Sequence, residues 1–211
     1  MKLPGVPIAV LDDLKGAALD AGMPRLALVG GVVRDWLLHR RHGRPWAGVP
    51  DLDWVVEGEA ARLASALQCR CGSQRVTAVQ EHGAFATVAL KLDGLPLDLA
   101  TARQEHYPAP AENPVVQAGT LQADLARRDF TVNAMAFDLV AGELIDLHNG
   151  LEDLETGRLR FLHAGSVQDD PTRVIRAARY SARLGFQLAQ ESSEQIRITI
   201  DQWPWAWGQG H

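Results

Sequence analysis

Asp51 and Asp53 stand two residues apart in the stretch VPDLDWVVEG, ahead of Trp54, Val55 and Val56, a run with the character of a core strand. Side chains at i and i+2 on a strand share a face, so the two carboxylates stand side by side at its start. Like charges at that spacing repel unless a cation lies between them. Taken alone, the pair reads first as a solvated turn in which Pro50 and Asp51 lead into the strand. Asp98, in PLDLA, is a third acid on a strand that could lie beside the first, although by itself it is a surface acid near a turn. Three carboxylates gathering one or two Mg2+ ions are what phosphoryl or nucleotidyl transfer needs. The metal orients the triphosphate, lowers the pKa of the attacking hydroxyl and neutralises charge on the leaving pyrophosphate.

Three further groups carry phosphate chemistry. Gly30 and Gly31 separate a short apolar run from a helical pattern, where backbone amides and the helix dipole favour an anion. The alternative is a tight strand-to-helix turn that needs positive φ. Arg34, one turn further on, could fork onto the same phosphate. The knot RRDFTVN places Arg127, Arg128, Asp129, Thr131 and Asn133 between apolar flanks. It reads either as a solvated helix start or as a patch for sugar and triphosphate, with Asp129 holding an arginine in place. Finally, Asp170, Arg173, Arg176, Arg179 and Arg183 follow helical spacing. That puts four arginines along one stripe and turns Val174, Ile175 and Ala178 to the core. The stripe suits an anion, and it also suits plain solvation.

The elements that must hold these residues alternate between sheet and helix. Helices are expected over Val6–Gly22, Val32–Leu38 (Val32, Val33, Trp36 and Leu37 inward, Arg34 and Asp35 outside), Glu59–Cys69, Leu151–Thr156, Asp170–Leu184 and Ala189–Ile200. Strands are expected at Arg25–Val29, Asp51–Glu57, Arg75–Val79, Ala84–Leu92, Leu95–Ala100, Glu143–Asp146 and Arg158–Leu162. His39–Val49 reads as a polar loop, and 104–119, with three prolines, as a mobile one. The fold class is α+β: a mixed sheet with flanking helices, then the first helices of an all-α region.

Composition is that of an ordinary globular chain of 211 residues, 46% hydrophobic and 22% charged. The net charge of -5 means that any nucleic-acid contact rests on local basic surface. Cys69 and Cys71 are too few for a disulfide framework or a four-cysteine zinc site. Neither a signal peptide nor a membrane-length apolar run is visible, so a cytoplasmic protein with no membrane partner is expected.

In order, LVGGVVRDWLL, DLDWVVEG, DLATAR, DLARRDFTVNAMAFDL, IDLHNGLEDLETGRLRF and DDPTRVIRAARYSARLGF resemble the class II tRNA nucleotidyltransferase and bacterial poly(A) polymerase family, from about residue 25 to 186. The resemblance implies a polymerase-β-like nucleotidyltransferase head at 1–140, closing at 141–165, followed by a helical neck from 166. It implies Mg2+ on Asp51 and Asp53, with Asp98 as third acid, and Gly31 and Arg34 on the triphosphate. Arg128, Asp129 and the helix with Asp170, Arg173, Arg176 and Arg179 would meet the nucleotide, and 104–119 would help choose between C and A. ATP or CTP and the 3′ end of a tRNA are the implied partners. A poly(A) polymerase, or a nucleotide-binding module without turnover, shares the same motifs. Beyond Phe186 the spacing E-x-x-R occurs once, at Glu194 and Arg197, and the chain ends on Trp203, Trp205 and Trp207. Three large aromatics with few neighbours left to pack them suggest a neck cut short relative to longer enzymes.

Overall fold

The four-residue run LALV has no polar position and MAFD has one only at its end, and both become interior strands of one sheet. The computed structural model describes residues 2–46, 48, 50–83 and 86–202. Ala84 and Phe85, expected to open a strand, and Trp203, Trp205 and Trp207 lie outside the described residues.

The chain runs α1 (Ile8–Asp20), β1 (Leu26–Val29), α2 (Gly31–His42), β2 (Asp53–Val56) and α3 (Ala60–Cys71). Three strands follow, β3 (Val76–His82), β4 (Thr87–Leu92) and β5 (Leu95–Thr101), then β6 (Arg103–His106), β7 (Val115–Ala118) and α4 (Leu121–Ala126). A 3-10 turn at Thr131–Asn133 leads to β8 (Met135–Asp138), β9 (Glu143–Asp146), α5 (Gly150–Glu155) and β10 (Arg158–Leu159). The last elements are α6 (Ser166–Asp169), α7 (Thr172–Leu184), β11 (Gln187–Leu188) and α8 (Gln190–Asp201). Seven strands form a mixed sheet in the order β3-β4-β5-β2-β1-β8-β9, antiparallel throughout except where β2 lies parallel to β5. No helix among the described residues is long and apolar enough to cross a membrane.

Alternation divides the sheet into two unequal faces. Leu26, Leu28, Trp54, Val56, Leu97 and Leu99 join the large core under α1, α2 and α3. Each such side chain, fully buried, contributes about 1.5–3 kcal/mol. Ala27, Val29, Val55 and Ala136 face the other way into a small cluster closed by Leu121 and Leu125 of α4. Ala177, Leu184 and Phe186 carry the large core on into α7, and the parallel pair β10–β11 ties the chain on either side of it.

Four expectations are corrected. Residues 104–119 are not a loop: Arg103–His106 pairs antiparallel with Val115–Ala118. The three prolines that hid the pattern, Pro108, Pro110 and Pro114, are confined to the connection, where a missing N–H costs nothing. α2 runs past Leu38 to His42 and stops at Gly43, whose φ of 64° suits glycine. Its last turn carries His39, Arg40, Arg41 and His42, charges that a helix C-terminus favours. Arg34, expected outside, is buried with 1% of its surface exposed. On α7, Ile175 and Ala178 are exposed, and Arg173, Ala177 and Leu184 turn inward instead. The arginine stripe was right in spacing and wrong in phase, because a buried guanidinium can take a place that periodicity reserves for apolar residues.

Gly150 starts α5 directly against the 3-10 turn, where a Cβ would overlap the Thr131 carbonyl oxygen. Gly150→Ala should therefore cost about 1–3 kcal/mol through overpacking, read as a lower urea midpoint with an unchanged slope.

Candidate active site

The parallel pairing of β2 with β5 sets Asp53 opposite Asp98, Trp54 opposite Leu99 and Val55 opposite Ala100. A backbone bond from Asp98 N to Leu52 O, 3.1 Å, locks the register at the end where the acids stand. Asp53 shares its face with Val55, on the thinly covered side of the sheet. The small cluster there ends before Asp53, so Asp51, Asp53 and Asp98 are all exposed. The Asp53 carboxyl is nonetheless pushed up from its ordinary value, first by desolvation from the protein packed around it. Asp98 raises it further, Arg128 pulls it back and Asp51 adds a smaller push. Its tip reaches solvent while its surroundings do not, which is why exposure and desolvation coexist.

Among the described residues no three or more His, Cys, Asp or Glu side chains converge as a complete cage for an ion. Two or three repelling carboxylates open on one side fit a different chemistry. A small hard divalent ion keeps its waters and takes the rest of its oxygens from a phosphate-bearing substrate.

Gly30 sits at φ 76°, ψ −138°, and a Cβ there would stand 3.0 Å from Arg128 Nη1. The backbone conformation favours glycine, and the absent Cβ leaves room for the Arg128 guanidinium. Val33 N and Arg34 N donate to Gly30 O, leaving the Gly31 and Val32 amides at the open start of α2.

Two networks hold the arginines. In the first, buried Arg34 donates to Asn133 Oδ1 and to Asp35 Oδ1, the latter at 2.8 Å. Asn133 Nδ2 donates to Asp129 Oδ1 at 2.9 Å, and Arg176 grips Asp129 Oδ2 through Nε at 2.7 Å and Nη2 at 2.6 Å. The Tyr180 ring lies beside both guanidinium groups, 5.0 Å from Arg34 and 5.7 Å from Arg176. In the second, buried Asp124 accepts from Arg127 at 2.7 Å and Arg128 at 2.8 Å. Glu105 accepts from Arg127 at 2.9 Å, from Arg103 at 3.0 Å and from the Tyr107 hydroxyl at 3.3 Å. Arg173 Nη2 donates to Arg127 O. After all these bonds, Arg103 Nε, Arg128 Nε and Arg173 Nη1 remain buried without a partner.

Those arginines line one cavity of about 460 Å³, together with Gly30, Asp129, Asn133, Asp170 and Arg176. A second cavity, about 520 Å³, holds Asp51, Arg34, Arg44, Trp46 and Arg183. Gly31, Asp53 and Tyr180 form a wall common to both. Of the residues singled out from sequence, Asp98 flanks Asp53 without lining either cavity, and Arg179 is exposed and lines neither. Glu194 and Arg197 pair with each other on exposed α8, away from both. Sequence reasoning missed Tyr180, although it follows Arg176 by four positions on one helical face. It also missed Asp124, three and four residues before the arginines it holds. Arg103 and Glu105 went unnoticed because their i, i+2 alternation lay at the edge of a stretch read as loop.

Residues 26–160 match the family model described as Poly A polymerase head domain. The chain is 41% identical over 180 residues to the A-adding tRNA nucleotidyltransferase of Aquifex aeolicus, covering 84% of this chain and 20% of the relative. It is 45% identical over 176 residues to the CC-adding tRNA nucleotidyltransferase of Deinococcus radiodurans, covering 81% and 44%. The chain thus spans less than half the length of these curated relatives. A solved CCA-adding enzyme, apo form II, superposes with a TM-score of 0.82 at 35% identity, over 94% of this chain and 46% of that one. A tRNA nucleotidyltransferase complexed with a primer tRNA and an incoming ATP analogue superposes at 0.73 and 38%, over 89% and 50%.

Burial pushes the Asp124 carboxyl up, and Arg128 and Arg127 more than reverse it, holding it below the ordinary 3.8. A depressed acid contributes stability above its unfolded value and loses it as pH falls through the folded one. Asp124→Asn should cost about 2–3 kcal/mol at pH 7, less than for a fully buried pair because both arginines keep about a fifth of their surface open. In urea titrations the gap from wild type should close below about pH 4.

Proposed function

The chain belongs to the poly A polymerase head-domain family, and on that premise we propose that it acts as the catalytic head of a metal-dependent tRNA nucleotidyltransferase. It transfers CMP, AMP or both from CTP or ATP to the 3′ end of a tRNA and releases pyrophosphate, in the cytoplasm. Residues 1–165 form the head and 166–211 begin a helical neck. The observation that carries this reading is Asp53, paired with Asp98 across the sheet, in the wall of a cavity lined by five arginines, Arg103, Arg127, Arg128, Arg173 and Arg176. Three buried guanidinium nitrogens without partners are suited to the oxygens of a triphosphate.

Asp51 and Asp53 are the carboxylates that would hold Mg2+. When bound, the ion supplies charge neutralisation at the α-phosphate and the leaving pyrophosphate and lowers the pKa of the attacking hydroxyl. The chain's own residues do the positioning. Arg128 and Arg173 take the phosphate oxygens, with the Gly31 amide at the start of α2 and Arg176 beside them. Asp129, Asn133 and Asp170 set the sugar and the base against this frame. The 3′-hydroxyl oxygen bonds to the α-phosphorus in line as the bond to the pyrophosphate oxygen breaks. The hydroxyl proton passes to Asp98, held beside Asp53 by the strand register. Buried Arg34 supports rather than grips: with its bonds made to Asn133 and Asp35, it fixes the residues that face the nucleotide.

Incubated with Mg2+, labelled CTP or ATP and a tRNA ending before CCA, the protein should incorporate label. Asp53→Ala should reduce incorporation by at least about 100-fold, the scale set by losing transition-state charge stabilisation. NTP binding without any incorporation, at high protein concentration, would reduce this reading to a nucleotide-binding module. In parallel, Arg176→Ala should raise the KM for NTP about tenfold while circular dichroism stays unchanged, since the side chain is 43% exposed.

A further inference from the structure

Asp129 holds Arg176 by one oxygen only. Nε and Nη2 converge on Oδ2, at 2.7 Å and 2.6 Å, while Oδ1 accepts from the Phe130 amide at 2.8 Å and from Asn133 at 2.9 Å. A guanidinium bonded to a single acceptor atom can tilt about that atom, whereas parallel bonds to both oxygens of a carboxylate fix its plane. Arg176 is also 43% exposed, so packing alone does not stop the tilt. The remaining constraint is the Tyr180 ring, one helical turn further on and 5.7 Å from the guanidinium. That ring is itself fixed. Phe130, fully buried and stacked on Phe161 at 5.0 Å, meets it edge to face at 5.7 Å and 81°. The buried Arg34 guanidinium, held by Asn133 and Asp35, lies 5.0 Å from its centre.

We propose that Tyr180 is a positioning residue for the nucleotide. Anchored on Phe130 and Arg34, its ring sets the plane of the Arg176 guanidinium, whose Nη1 takes no part in the grip of Asp129. Arg176 and Tyr180 line the same cavity as Arg128 and Arg173. A second carboxylate in the place of the ring would also fix that plane, but it would cancel the charge that an anion needs. An aromatic face restrains the cation and leaves its charge in place. The inference rests on the nucleotidyltransferase reading, which makes that anion the triphosphate of the incoming nucleotide. Tyr180 acts here through Arg176, so its effect falls on affinity rather than on the chemical step.

The test is a double-mutant cycle on ATP binding. The dissociation constant of ATP with Mg2+ is measured for the wild type, Tyr180→Leu, Tyr180→Phe, Arg176→Ala and the double variant Tyr180→Leu/Arg176→Ala. Tyr180→Leu should weaken ATP binding about fivefold, the scale of one cation–π contact. Tyr180→Phe should restore it, because the ring and not the hydroxyl makes the contact. On the Arg176→Ala background, Tyr180→Leu should add less than about a twofold loss. With a tRNA ending in CC as acceptor, Tyr180→Leu should raise the KM for ATP and leave kcat within about twofold. A merely structural role would lower the rate with the folded fraction and leave KM in place. Should Tyr180→Leu not fold, Tyr180→Met takes its position in the cycle, keeping an apolar contact with Phe130 without a ring face. Unchanged ATP affinity, equal losses on both backgrounds, or failure of Tyr180→Phe to restore binding overturns the assignment. An inactive wild type whose ATP affinity still depends on Tyr180 through Arg176 overturns the reaction and keeps the assignment. An active wild type whose ATP affinity ignores Tyr180→Leu does the reverse.

Discussion

Two carboxylates opposite each other on adjacent strands repel, and the register fixes the backbones of Asp53 and Asp98 as neighbours. Backbone pairing enforces this, since slipping β2 by one residue would turn Trp54 and Val56 out of the large core and Val55 into it. The hydrophobic pattern of four residues therefore holds a charge arrangement that is unfavourable by itself. Desolvation raises the Asp53 carboxyl first and the neighbouring Asp98 raises it further, while Arg128 opposes both and a divalent cation would do so in the proposed reaction.

Much of the surrounding structure serves to keep cations near that point without letting acids within the fold consume them. Asp124, Glu105 and Asp129 each hold arginines that line the cavity. Gly30 lets Arg128 come within 3.0 Å of where a Cβ would be. The wall of Gly31, Asp53 and Tyr180 divides the space into two cavities of similar size and unlike lining. One face is crowded with guanidinium groups, the other rimmed by an indole.

Much of the architecture was legible before any coordinates. LALV, DWVV and LPLDLAT read as strands because their apolar character matches burial on one or both faces. Gly185 marks the end of α7 because a φ of 70° suits glycine. What misled the reading was polarity in unexpected places. The β6–β7 hairpin carries charged and exposed residues on both strands and prolines between them, so neither alternation nor hydrophobicity announced it. Its pairing is a long-range event with no local signal. Arg34 and Arg173 were assigned to the surface by type, and both are buried because Asn133 and the Arg127 carbonyl reach them from distant segments, with the neighbouring Asp35 completing the Arg34 site.

By itself the sequence determined which residue types could carry metal and phosphate chemistry, and the strands and helices that bear most of them, because spacing along one element fixes a shared face. It also carried the family's order of motifs. Only the tertiary structure decided which arginines line a cavity with Asp53, that Arg179 does not, and that Tyr180 lines both cavities and Trp46 one. Those placements depend on contacts between segments tens of residues or more apart, such as Arg34 with Asn133 and Arg176 with Asp129, and no local pattern encodes a partner at that distance.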